Sequence, residues 1–241
     1  MNKIIDKVKT NKKFFVVIGI ILLVLLLKKE NLIFFESLDK ETKAFINEYE
    51  KLNGELSEEG KKYPEVNIPS KNNIKYLTIE ETLDILDDGT AAIYIGYPEC
   101  IYCRSAVQVL FDTAKESDIE SVYYLDISKI WDVKEVDKDG KVVTVQEADS
   151  NYNKLLEELD DIHIEDYVLK DKDGKEIDVE EKRIIVPLVI FVVNGDIVSS
   201  NVGTLFSQKN PYISLNDDQV KGLSEIYSYG LRDVLNGLNN K

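Results

Sequence analysis

The sequence predicts an α/β domain, a central mixed sheet with helices on both faces, behind a single N-terminal membrane helix. Three observations lead there. From Ile74 onward short apolar runs alternate with helical stripes, a Cys-x-x-Cys pair stands where one such run meets the next stripe, and Phe14–Leu27 holds fourteen residues without a polar side chain. Hydrophobic residues make up 44% of the 241, enough for one substantial core, and charged residues make up 31%. The net charge is −15, with 45 acidic against 30 basic side chains, a surface that repels phosphate backbones and argues against nucleic-acid binding.

The N-terminus comes first. Residues 1–13 carry Lys3, Lys7, Lys9, Lys12 and Lys13 against Asp6, and Lys28-Lys29 closes the apolar run. As a helix, 14–27 spans about 21 Å. That is short for a hydrocarbon core of ~30 Å, but flanking lysines snorkel and make a short span workable. A cleaved signal peptide needs small residues after the run, where Lys28-Lys29-Glu30 stands instead. A buried core helix does not suit a terminal stretch that is apolar all round. The expectation is an uncleaved anchor at 14–27, with 1–13 in the cytoplasm and the domain outside the cell membrane. The lysine bias across the anchor is slight, so orientation rests on the basic start and export-signal form.

Leu38, Phe45, Ile46, Tyr49 and Leu52 recur at helical spacing. Gly54, Gly60, Pro64 and Pro69 then punctuate a charged stretch that reads as linker, so 28–73 is expected to be a helix and stalk holding the domain off the membrane. The domain is expected over 74–241. Ile74–Leu77 is a short strand, and Thr78 with Glu81 forms a capping box for a helix ending before Gly89. Ala91–Ile95 reads as a strand covered on both faces. Val107, Leu110, Phe111 and Ala114 mark the helix behind the cysteines, and Val122–Ile127 another strand. Residues 184–193 form a further strand, joined by Asn194-Gly195 to Asp196–Val202, a hairpin signal. Asn216 and Gln219 cap a last helix.

An insertion at about 129–183 contains Asp-Lys-Asp-Gly-Lys twice, at 137–141 and 171–175. A calcium loop needs a further acidic ligand and a helical flank, so both read as hairpin turns. Tyr152, Leu155, Leu156, Leu159 and Ile162 mark one amphipathic helix between them, and His163 follows as a surface or core histidine.

The two cysteines, Cys100 and Cys103, are three apart, which excludes a disulfide framework. His163 is the chain's single histidine, too few partners for tetrahedral zinc, so neither metal nor cofactor is expected. Cys100 falls at a helix N-terminus, where unpaired N–H groups and the macrodipole favour a thiolate. Cys103 lies one turn on and resolves the mixed disulfide. Arg104 adds a positive charge nearby.

Two stretches carry a resemblance: TAAIYIGYPECIYCRSA and RIIVPLVIFVVNGDIVSSNVGTL. From Ile74 to the C-terminus the chain resembles thioredoxin-fold proteins, and YIGYPECIYCR with DKDGKEIDVEEKR is similar to bacteriocin transport accessory proteins of Gram-positive bacteria. The resemblance implies that the Val186–Pro187 bond is cis and faces the cysteines, with Tyr97, Ile101, Tyr102, Val186 and Pro187 contacting substrate. It departs from thioredoxins at Glu99, where they place Trp, and at Tyr94 and Tyr124, where they place a buried carboxylate and a lysine. The expected function is thiol–disulfide exchange on protein or peptide partners, with a membrane redox protein or peptide exporter as further partner. The alternative is a non-catalytic accessory that binds peptide.

Overall fold

Five strands make a mixed sheet: β1 (Asn73–Tyr76), β2 (Ala91–Gly96), β3 (Ser121–Asp126), β8 (Leu188–Val193) and β9 (Asp196–Val202), in the order β1-β3-β2-β8-β9. β1, β3 and β2 run parallel, and β8 and β9 are antiparallel to their neighbours. The computed structural model describes residues 38–70 and 73–240, with Val17, Ile20, Leu23 and Leu25. Apart from those four, the expected anchor at 14–27 and its flanking lysines lie outside the described residues. Among the described residues no helix is long and apolar enough to cross a membrane.

Side-chain alternation along the strands feeds two cores. Ala92, Tyr94, Val189 and Phe191 face one layer, with α1 (Lys40–Glu50), α3 (Ile101–Glu116) and α5 (Asp217–Asn239). Ile93, Ile95, Leu188 and Ile190 face the other, with α2 (Ile79–Asp88) and α4 (Tyr152–Glu157). The capping boxes at Thr78/Glu81 and Asn216/Gln219 both form. The β8–β9 turn takes positive φ at Asn194 and Gly195, as a two-residue hairpin requires. Gly195 is doubly constrained, because a Cβ there would run into the backbone of Asp87.

Three expectations need correction. From residue 38 the supposed stalk is part of the domain: Phe45, Tyr49, Val66 and Ile68 are buried with the strands. The Asp39 carboxylate caps α1, and Thr42 Oγ1 accepts the N–H of Ile74 at 3.0 Å. Each such buried apolar side chain contributes roughly 1.5–3 kcal/mol, so the segment docks rather than floats. The run 184–193 is not one strand, because it breaks at Ile185–Pro187 between β7 (Glu176–Ile184) and β8. The helix read through Ile162 stops at Glu157; Leu159 is buried beyond it and Ile162 is exposed.

The insertion adds two hairpins, β4 (Val133–Val136) with β5 (Val142–Gln146), and β6 (Ile164–Lys170) with β7. Each Asp-Lys-Asp-Gly-Lys segment is its turn. Asp137 Oδ1 accepts the N–H groups of Asp139 and Lys141, and Asp171 Oδ1 those of Asp173 and Lys175. Both carboxylates thus serve the backbone.

Candidate thiol–disulfide site

β2 ends at Gly96, and Tyr97-Pro98-Glu99 turns the chain into α3, with the Cys100 N–H donating to Tyr97 O at 3.3 Å. Cys100 is the N-cap of α3, and its Sγ accepts the N–H of Cys103 at 3.1 Å. The two cysteines are joined as a disulfide with a Cα–Cα distance of 5.1 Å, inside the range such a bond needs. Cys103 is fully buried and Cys100 is 9% exposed, so Cys100 is the sulfur a partner meets first. Reduced, the Cys100 thiolate would keep the Cys103 N–H and the helix terminus as its stabilisers.

The other expected residues gather around this pair. Ile101 opens α3 and is partly exposed, and Tyr102 is 38% exposed. Tyr97 and Val186 pack, partly buried, against the cluster that contains both cysteines. The Val186–Pro187 bond is cis. β8 pairs Leu188 with Ile95, so Pro187 stands one step further, beside Gly96 at the end of the sheet from which the cysteine loop springs. Glu99 points to solvent.

Beneath the helix, Tyr94 and Tyr124 stack with ring centroids 5.5 Å apart, and the Tyr94 and Tyr49 hydroxyls share a hydrogen bond of 2.7 Å. Burial pushes all three phenols well up from their ordinary range. They stay protonated at neutral pH, so the layer under the cysteines offers hydroxyls where the resemblance would place a base. Asp126, two residues beyond Tyr124 on β3, is paired with Gly96 across the ladder and held by Lys129 at 2.5 Å.

Arg104 differs most from its sequence reading. Its side chain is fully buried, and its donors reach Pro64 O (2.7 Å), Tyr49 O (2.8 Å), Pro98 O (3.4 Å) and Asn53 Oδ1 (2.7 Å). Burial lowers its pKa, which still leaves an arginine charged. It ties α1 and the 53–64 stretch to the loop before Cys100.

His163 lies below the proline loop, its carbonyl accepting the Ile185 N–H at 2.9 Å. The ring is 1% exposed, with Nε2 2.8 Å from Ser200 Oγ and Nδ1 without a hydrogen-bond partner among the described residues. Burial lowers its pKa, against a smaller opposing effect of Asp160. The unfolded chain therefore takes up a proton as pH falls below about 6.5 while the fold resists it. Stability should drop from that pH down to the depressed value, read as a lower urea midpoint at pH 5.5 than at 7.5. His163→Gln should shrink the difference; an unchanged difference would assign it elsewhere.

Sequence reading missed Trp131, which the insertion brings against Tyr97, and Arg183 and Tyr167 stacked behind it; the signal available was the lone tryptophan of the chain. No family model matches the chain, and no curated protein matches it either.

Proposed function

We propose that the protein is a membrane-anchored, extracytoplasmic thiol–disulfide oxidoreductase of thioredoxin-like fold. The carrying observation is Cys100, the more accessible of the pair, capping α3 and bonded to the fully buried Cys103. The strand order, the cis bond at Val186–Pro187 and the placement of that bond beside the cysteine loop support the thioredoxin-like reading. The segments YIGYPECIYCR and DKDGKEIDVEEKR support a likeness to bacteriocin transport accessory proteins.

In the reduced protein the Cys100 thiolate attacks one sulfur of a substrate disulfide and expels the other as thiolate, forming a mixed disulfide. Cys103, losing its proton, attacks Cys100 Sγ; the Cys100–Cys103 bond forms and the second substrate sulfur leaves as thiolate. Two electrons pass to the substrate. The oxidised pair runs the same steps backward against a substrate dithiol.

Mixing reduced full-length protein with a disulfide-bonded polypeptide should oxidise the cysteine pair and reduce the polypeptide in equal amounts. A pair that stays reduced over hours would leave the non-catalytic peptide-binding accessory as the better reading. For the anchor, Val17, Ile20, Leu23 and Leu25 are helical and 53–56% exposed, an arrangement suited to lipid. A membrane-impermeant maleimide should label Cys100 on intact, mildly reduced cells; labelling only after lysis would place the domain inside.

A further inference from the structure

The insertion reaches the cysteine site through one aromatic stack. Tyr97, whose carbonyl holds the Cys100 N–H, meets Trp131 edge-on with centroids 5.5 Å apart. The Arg183 guanidinium sits between Trp131 (4.1 Å) and Tyr167 (3.8 Å), and its Nη2 donates to Asp132 O at 2.5 Å. Gln146 Nε2 donates to Trp131 O at 2.7 Å, and the Trp131 N–H donates to Ile127 O at 3.1 Å. Tyr167 is itself buried, its hydroxyl accepting the Lys134 N–H at 2.9 Å.

Trp131 is thus fixed from both ends yet partly exposed, against Tyr97 of the loop that leads into Cys100. Trp, Tyr and Arg are the residue types that dominate binding hot spots, and an aromatic already locked in place loses little entropy on binding. None of these contacts is needed to close the sheet, whose order runs from β3 to β8 without the hairpins. The surroundings are acidic on balance: residues 129–183 hold 18 acidic against 10 basic side chains, Arg183 at the wall among the latter, and Glu99 is exposed next to Cys100.

We infer that the Trp131–Tyr97 wall is a recognition surface for a cationic polypeptide segment bearing an aromatic or large apolar side chain next to its cysteine. The insertion then selects polypeptides over small acidic thiols, which lack the apolar contact and are repelled by the field. The inference deepens the redox reading by naming its substrate class, but the binding it claims does not require exchange.

Because Trp131 is the only tryptophan, its emission reports on this wall alone. The probe is a ten-residue peptide with one S-methylated cysteine, flanking phenylalanines and three lysines, which cannot exchange. Titrated into the oxidised full-length protein, it should change Trp131 emission saturably. Peptides with the phenylalanines replaced by serine, or the lysines by glutamate, should bind about tenfold more weakly or worse. By anisotropy of a labelled peptide, Trp131→Ala and Tyr97→Ser should each weaken binding about tenfold, with Trp131→Phe closer to wild type. Binding that leaves the emission unchanged, equal affinity for the glutamate peptide, or wild-type affinity in both Trp131→Ala and Tyr97→Ser would overturn the inference. Intact binding with no exchange on the unblocked peptide would instead overturn the redox reading and leave this one standing.

Discussion

Cys103→Ser protein, mixed with a disulfide-bonded polypeptide, is expected to accumulate a covalent adduct that dithiothreitol releases, whereas Cys100→Ser protein forms none. The expectation follows from access and from position. Cys100 is at the rim and Cys103 is fully buried, so a substrate sulfur approaching along the S–S axis meets Cys100. The helix-terminal N–H of Cys103 already points at Cys100 Sγ, 3.1 Å away, so the thiolate form is favoured on the sulfur that attacks. Without Cys103 the mixed disulfide has no internal thiol to resolve it and persists until an external thiol arrives, while loss of Cys100 removes turnover entirely. Mass spectrometry under non-reducing conditions separates the cases. Adducts on Cys100→Ser and none on Cys103→Ser would reverse the two roles.

Features set by neighbours along the chain are legible in the sequence alone. The capping boxes at Thr78 and Asn216 and the two Asp-Lys-Asp-Gly-Lys turns are each satisfied within four residues of backbone, and the Asn194-Gly195 turn takes its positive φ from its own two residues. The Cys100–Cys103 pair is local in the same sense, and α3 starts at the strand-to-helix change in the residue pattern. Features that depend on distant partners are not legible. The stripe of Phe45 and Tyr49 announces a buried face but not that the domain's own sheet buries it. The charged residues of 54–73 mask Val66 and Ile68, which are buried in one core with residues of α1 and α3. Arg183 and Trp131 meet across about fifty residues, a contact that no periodicity encodes.

Arg104→Met should cost roughly 3 kcal/mol of stability, since it strips the donors from Pro64 O, Tyr49 O, Pro98 O and Asn53 Oδ1, and each buried polar group left unpaired costs about 1–3 kcal/mol, partly offset where water enters. Methionine fills most of the volume, so the loss reflects hydrogen bonding rather than a cavity. Arg104→Lys, with one ammonium for four acceptors spread around a planar fork, should recover only part of it. Against a total of about 5–15 kcal/mol for an ordinary domain, the change is large and readable as a fall in the urea midpoint. Its location matters as much as its size. Asn53 also accepts the Val66 N–H and donates to Val66 O, and Gln108 on α3 brackets Asn67 in the same way. The guanidinium also joins this lacing to Pro98, two residues before Cys100. Limited proteolysis of the Arg104→Met protein should therefore cut first between residues 54 and 68, before the sheet unfolds. An unchanged urea midpoint together with protection of that stretch would mean that packing of Phe45, Tyr49, Val66 and Ile68 holds the segment without the arginine.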